Sequence, residues 1–162
     1  MSETAELLER FRRGSELVAM SMTGAAGLEV DYIPAPGKWS VRQIICHLAD
    51  TEIVGSMRFR LVAAEDNPVI QWFDEQAWAV NLDYARRKPS HAIETFRRTR
   101  AENYDLLNGL PPEAFLRPGV HSKNGPLTLL DLVKGYAEHA ESHVGQLRGV
   151  RAAYKESRVK PA

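Results

Sequence analysis

Four long stretches with a helical spacing of apolar residues, separated by clusters of proline and glycine, constrain what this chain can fold into. Within each stretch apolar residues recur every three or four positions, as on one face of an α-helix. The predicted helices run from Glu3 to Met22, from Ser40 to about Ala64, from Pro89 to Gly109 and from Thr128 to about Tyr154. Helices of this length that each have one apolar face predict an all-α fold, a four-helix bundle.

An aromatic insertion separates the second and third predicted helices. The helical pattern breaks at residues 66–68, and the segment 69–78 that follows is rich in aromatic side chains. A short helix is predicted from Asp74 within this insertion. Residues 118–126, which contain two prolines and two glycines, are predicted to form a loop or a short hairpin.

The composition is that of one ordinary domain without a strong net charge. With 162 residues, 44% of them hydrophobic, the chain can bury a core over residues 1–155, and the charged segment 156–162 is expected to fray. The 21 basic residues balance the 21 acidic residues, so no nucleic acid or membrane partner is expected. Neither a signal peptide nor an apolar span of ~20 residues is visible. Together with the single cysteine, this favours a cytoplasmic protein.

A pair of histidines in the last predicted helix is the clearest chemical signal. His139 and His143 are four residues apart, so on a helix they project from the same face, one turn apart. Tyr136 and Gln146 extend the same stripe, which is flanked by apolar residues and expected to face inward. A charged imidazole would be costly there, so we interpret the pair as metal ligands. The alternative is a chance spacing of two surface histidines.

A third histidine, His47, lies within two turns of the start of the second predicted helix. Three neutral imidazoles and an open position are a common design for a catalytic site that holds a divalent metal. The sequence predicts such a site if the bundle brings His47 to the pair. The other histidines, His91 and His121, are expected at the surface. Cys46 cannot share a helix face with its neighbour His47, so it is expected to be a small buried hydrophobic residue.

Two other kinds of metal site fail on spacing. A zincin needs a glutamate directly after the first histidine of the pair, and this chain has Ala140 there. A carboxylate-bridged di-iron bundle needs Glu-x-x-His on two helices. The residues three positions before the three histidines are Ile44, Tyr136 and Ala140, none of them acidic.

Four more residues are candidates for roles around the metal, and each has a simple structural alternative. Asp50, three residues after His47, could act in catalysis by orienting an imidazole or accepting a proton, or it could be a solvated helix charge. Gln146 could hydrogen-bond to a ligand and Tyr136 could line a substrate pocket, or both could be packed core residues. Trp72, in the aromatic insertion, could form a wall of that pocket or simply pack.

The segments Gly37–Asp50 and His139–Gln146 together resemble the DinB-like superfamily, also called the YfiT-like "putative metal-dependent hydrolases". The family pattern is a Trp-Ser helix start followed by a histidine, and then a late His-x-x-x-His, often with a glutamine three residues on. His47, His139 and His143 fill the three family ligand positions. The resemblance implies a four-helix bundle that holds a divalent metal ion, usually zinc or nickel, and that often forms a homodimer.

The resemblance leaves three functions open for a small-molecule substrate. The leading one is a metal-dependent enzyme that activates a low-molecular-weight thiol for transfer to a small electrophile, because some relatives are thiol transferases or isomerases. The second is a metal-dependent hydrolase that uses metal-bound water. Either nucleophile is reasonable, since a divalent cation lowers the pKa of both thiols and water. The third is a non-enzymatic metal-binding or stress-response module.

Overall fold

The four predicted long helices are all present in the structure, a computed structural model that describes residues 2–159. The helices are α1 (Glu3–Met22), α2 (Leu28–Asp31), α3 (Val41–Ala64), α4 (Glu75–Asn81), α5 (Pro89–Asn108) and α6 (Leu129–Val159), with a 3-10 helix at Pro112–Leu116. The strands are β1 (Val69–Ile70), β2 (Pro118–His121) and β3 (Gly125–Thr128). The long helices α1, α3, α5 and α6 pack against one another as a four-helix bundle, as predicted.

Side-chain caps fix where α3 and α6 begin, at the Ser40 and Thr128 starts that the sequence analysis predicted. Ser40 Oγ accepts a hydrogen bond from the Gln43 backbone N–H at 3.3 Å, and Gln43 Oε1 accepts one from the Ser40 N–H at 2.9 Å. Thr128 and Asp131 form a similar reciprocal pair at the start of α6. Because these caps satisfy amide groups that the helix leaves free, they set the register of the two helices that carry the histidines.

The aromatic insertion contributes β1 and α4, and β1 joins the hairpin β2–β3 in a small sheet. Strand β1 pairs in parallel with β2, and β2 pairs antiparallel with β3. Asp74 caps α4 by accepting hydrogen bonds from two backbone amides, so the short helix predicted from Asp74 is present. The hairpin β2–β3 was one of the two alternatives predicted for residues 118–126. Strand β1 and helix α2 were not predicted, because elements of two to four residues are too short to show a hydrophobic period.

Helix α6 continues to Val159, five residues beyond the predicted end at Tyr154. Two contacts with the segment around α2 hold the turn of α6 just before these five residues. Arg151 Nε lies 2.7 Å from Glu29 Oε1, and the Tyr154 ring meets the Tyr32 ring edge-on with 5.4 Å between centroids. Residues 156–159 of the predicted frayed tail are therefore helical, and residues 160–162 lie outside the described residues.

A buried polar cluster lies between the apolar layers of the bundle. Arg100 is 0% and Glu52 is 1% exposed, and Arg100 Nη2 lies 2.6 Å from Glu52 Oε2. Asn103 Nδ2 donates to the other carboxylate oxygen at 2.9 Å. Arg100 also donates to the carbonyl of Phe11 at 2.9 Å and to that of Tyr136 at 3.3 Å. This one side chain therefore connects α5 to α1, α3 and α6.

Across residues 2–159 no helix combines the length and the apolar character that crossing a membrane would require.

Replacing Arg100 with methionine should lower the free energy of unfolding by about 3–5 kcal/mol, because Glu52 would stay buried without its cation. The matched control is Arg97→Met on the same helix, whose exposed ion pair with Glu94 should contribute little. Urea unfolding of both variants measures the difference. Equal losses of unfolding free energy in the two variants would show that the buried ion pair contributes no more to stability than the exposed one.

Candidate metal centre

The bundle brings together the three histidines that the sequence singles out. His47 comes from α3, and His139 and His143 come from successive turns of α6. The Nε2 atom of His139 lies 2.9 Å from Nε2 of His47 and 3.1 Å from Nε2 of His143. One ring nitrogen of each residue lies within 4.8 Å of the others. The planes of the three rings are inclined to one another by 60° to 76°, and their centroids lie 4.5 to 5.0 Å apart.

Hydrogen bonds on the far side of two rings orient the nitrogens. His143 Nδ1 lies 2.6 Å from Gln146 Oε1, an oxygen that can only accept a hydrogen bond, so the proton of this neutral ring is on Nδ1. Nε2 of His143 then presents a lone pair to the cluster. Thr51 Oγ1 lies 3.4 Å from Nδ1 of His47 and can hold that ring in the same way.

Burial keeps the three imidazoles neutral. Burial, and next the neighbouring His143, lower the pKa of His47 to about 3. Burial dominates again for His139, followed by His143 and His47, and its pKa falls to about 2. Burial also lowers the pKa of His143, although the hydrogen bond to Gln146 acts in the opposite direction. Neutral imidazole is the form that binds a metal ion.

The arrangement of the nitrogens fits a divalent cation better than it fits hydrogen bonds alone. If His139 carried its proton on Nε2, that proton could satisfy one neighbouring nitrogen but not both. A cation accepts all three lone pairs at once. Separations of 2.9 and 3.1 Å are close to those of ring nitrogens that share one ion at about 2.1 Å. His47, His139 and His143 therefore form a candidate site for a divalent metal ion.

A cavity of about 260 Å³ opens beside the cluster, with His139 and Thr51 in its lining. Its other polar lining residues include Arg58, Glu75 and His121. These three residues also line a second cavity of about 290 Å³, which extends to Trp72 and Lys123. A small molecule in the first cavity would touch His139 and several charged or hydrogen-bonding side chains at the same time.

The predicted pocket residues occupy three different places. Tyr136 is 6% exposed and lines the first cavity, where its hydroxyl accepts a hydrogen bond from Arg58 Nη1 at 3.3 Å. Trp72 lines only the second cavity and is 41% exposed, with the ammonium of Lys123 4.5 Å from its ring centroid. Gln146 contacts His143 and is absent from the lining of both cavities.

Asp50 forms its side-chain hydrogen bonds with residues other than the three histidines. Its Oδ2 atom accepts hydrogen bonds from the Tyr84 hydroxyl at 2.8 Å and from Arg87 Nη1 at 2.7 Å. The charge of Asp50 is therefore balanced by that of Arg87. Its role as a proton acceptor stays a prediction. Its neighbour Cys46 is fully buried, and burial raises the pKa of the thiol to about 11, which fits the prediction of a small buried hydrophobic residue.

The sequence analysis missed several polar residues of the cavity, among them Arg58, Glu75 and His121. His121 was expected at the surface but is 7% exposed, because β2 pairs with β1 and places Ile70 opposite it. The signal that could have found it is the period of two in β2, where Gly119 and His121 are both buried and share one face. Arg58 and Glu75 belong to ordinary helical patterns and have no such signal.

Comparisons with known proteins agree with this architecture. The profile of the DinB superfamily matches residues 7–147. A protein of Halalkalibacterium halodurans, "Putative metal-dependent hydrolase BH0277", is 40% identical over 122 residues, which are 75% of this chain and 70% of that protein. "Putative metal-dependent hydrolase OB0782" of Oceanobacillus iheyensis is 31% identical over 119 residues, covering 74% of this chain and 69% of the relative.

A solved structure has the same fold. It is described as "YfiT from Bacillus subtilis is a probable metal-dependent hydrolase with an unusual four-helix bundle topology". The superposition has a TM-score of 0.88 at 22% sequence identity and covers 96% of this chain and 90% of the other. The four-helix bundle is thus confirmed as the fold, and the chain belongs to the DinB superfamily.

Proposed function

We propose that this chain is a divalent-metal-dependent enzyme that acts on a small molecule bound in the cavity beside His139. The observation that carries the proposal is the convergence of three neutral ring nitrogens next to that cavity. The two relatives whose names read "Putative metal-dependent hydrolase" support it. Zinc and nickel are the ions proposed, because imidazole ligands suit both.

Bound there, a divalent ion would supply one kind of chemistry: it would lower the pKa of a thiol or a water molecule beside it. The protein's own part is to hold three imidazoles neutral and to orient them through Gln146 and Thr51. Tyr136 and Phe73 supply aromatic surface in the lining of the cavity. Apolar lining lowers the local dielectric and so strengthens the electrostatic interactions beside it.

A low-molecular-weight thiol is the nucleophile that we propose. A thiol has an ordinary pKa of about 8.5 and water one of about 15.7, so the thiol needs less help from a base. Asp50, the carboxylate nearest to His47 on α3, is already bound by Tyr84 and Arg87. The thiol proton would pass to solvent, the sulfur would form a bond to an electrophilic carbon, and the leaving group would depart with its electron pair.

Hydrolysis is the second candidate, and Glu75 is the observation that favours it. This carboxylate lines the same cavity as His139, and desolvation raises its pKa. A carboxylate with a raised pKa is a stronger base near neutrality and could accept the proton of an attacking water molecule.

Metal analysis of untagged protein tests the site directly. The wild-type chain should contain about one divalent ion, and His143→Ala should lose most of it because two imidazoles bind far more weakly than three. His91→Ala is the matched control, since His91 is exposed and lies on α5. Equal metal content in wild type and His143→Ala would refute the site.

Gln146→Leu tests the orientation of His143. Removing the oxygen that holds Nδ1 should weaken metal affinity by about 10–100-fold, as the loss of outer hydrogen bonds to metal-bound histidines commonly does. Competition with a chromophoric chelator measures the affinity, and Ser2→Ala serves as a control for a loss of stability alone, since Ser2 caps α1, which carries none of the three histidines. An unchanged affinity in Gln146→Leu would show that this hydrogen bond does not tune the site.

The visible spectrum of cobalt-loaded protein separates the two nucleophiles. Under the thiol proposal, cysteine and 2-mercaptoethanol should each produce a sulfur-to-metal absorption band that saturates with concentration. A spectrum insensitive to both thiols, together with metal-dependent cleavage of an activated ester, would favour the hydrolase. An insensitive spectrum with no metal-dependent turnover would indicate a site that serves only binding or stability.

A further inference from the structure

His121 presents a hydrogen-bond donor of fixed orientation to the cavity. Its Nδ1 atom accepts hydrogen bonds from the backbone N–H groups of Lys123 at 3.2 Å and Asn124 at 3.1 Å. Two donors on Nδ1 exclude a proton there, so the neutral ring carries its proton on Nε2. Burial lowers the pKa of His121, and the charge of Arg58 lowers it further, so the ring stays neutral.

The Nε2–H group of His121 has no partner within the part of the chain that the structure describes, although the residue is 7% exposed and lines both cavities. Nδ1 faces the turn between β2 and β3, so Nε2, on the opposite side of the ring, faces the cavity. A ligand or a water molecule in the cavity can therefore accept a hydrogen bond from this group.

Arg58 places a cation in the same cavities without a counter-ion. Its Nη2 donates to the carbonyl of Gln71 at 2.6 Å and its Nη1 to the Tyr136 hydroxyl at 3.3 Å, so the guanidinium is held in place. Its Nε is buried without a hydrogen-bond partner. Within residues 2–159 no carboxylate oxygen lies within 4.0 Å of this guanidinium, as an ion pair would require.

Of the other charged groups around the cavity, Asp131 and Lys123 contact neighbouring side chains, and Glu75 carries a charge that would repel an anion. Asp131 accepts hydrogen bonds from the backbone and side chain of Thr128. Lys123 lies over the Trp72 ring at the outer cavity. Glu75 lines both cavities and forms no ion pair with Arg58. It is therefore the group whose negative charge would weaken the binding of an anion.

We infer that Arg58 and His121 together bind an anionic oxygen group, such as a carboxylate, of the small molecule that occupies this cavity. Charge-assisted hydrogen bonds from a guanidinium to a carboxylate are among the strongest in proteins, and the neutral His121 ring adds a donor that anions accept. That this small molecule is the substrate rests on the proposed function, whereas the anion site itself needs no metal. The substrate class is thus a small thiol or electrophile with an acidic end group.

Titration of propionate into zinc-loaded, full-length protein tests this site, with the imidazole signals followed by NMR. Propionate should cause a saturable shift of the His121 Nε2–H signal, and propionamide, its neutral isostere, should not. Arg58→Gln should weaken propionate binding by about tenfold or more, as expected for the loss of a charged hydrogen bond. Glu75→Gln should strengthen it by removing the opposing charge. Arg97→Gln, on the exposed face of α5, should leave it unchanged.

Three outcomes would overturn the inference: an equal response to propionamide, no saturable shift of the His121 signal, or unchanged propionate binding in Arg58→Gln. Repeating the titration with His143→Ala separates it from the proposed function. Propionate binding that persists in this variant supports the anion site even if the metal proposal fails. Shifts confined to His47, His139 and His143 that disappear in this variant would mean that propionate binds only the metal, which overturns the anion site and leaves the proposed function standing.

Discussion

The buried ion pair between Arg100 and Glu52 is the constraint on which the rest of the bundle depends. The guanidinium lies against the faces of Phe11 and Phe96, with its central carbon 4.0 and 5.0 Å from the ring centroids. Desolvating two charges costs several kcal/mol, so such a pair persists only when its geometry and hydrogen bonds are nearly complete. Helix α1 accommodates it with Gly14, where a Cβ atom would lie 2.9 Å from Arg100 Nη1. The four long helices are therefore placed relative to one another by one side chain and its partners.

This ion pair is connected to the candidate metal centre through neighbouring residues. Arg100 binds the carbonyl of Tyr136, one turn before His139, and Glu52 follows Thr51, whose hydroxyl lies near His47. A Cβ atom at Gly55 would lie 2.5 Å from the Tyr136 ring, so α3 and α6 can approach this closely only with glycine there. The spacing of the ring nitrogens thus follows from the packing of α3 against α6. Because a buried network with most of its hydrogen bonds made allows few alternative arrangements, the three proposed ligands are positioned before any ion binds.

The sequence predicted those parts of the site that depend on local geometry. His139 and His143 share a helix face by spacing alone, and the cap at Ser40 places His47 near the start of its helix. The convergence of His47 with the pair follows once the bundle is assumed. In contrast, the hydrogen bonds of Asp50 come from Tyr84 and Arg87. These two residues lie in a turn, which has no repeating pattern of apolar residues from which their positions could be predicted.

The burial of His121 could not be predicted from the sequence either. It depends on the pairing of β2 with a two-residue strand about 50 positions away in the chain. Short strands are defined by their distant partners, and a single sequence does not contain that information in its local pattern.

The charge of the ligand set connects the metal proposal with the anion site. The three proposed ligands are neutral imidazoles, so a divalent ion held by them would keep its full positive charge, unlike an ion bound by carboxylates. Arg58 adds a cation to the same cavity, whereas the chain as a whole is neutral, with 21 basic and 21 acidic residues. Any preference for anions must then arise within the cavity and not from the overall field of the protein. The carboxylate of Glu75 opposes this positive charge, because it lines the same cavity as Arg58. The protonation state of Glu75 would then set how strongly an acidic substrate is bound.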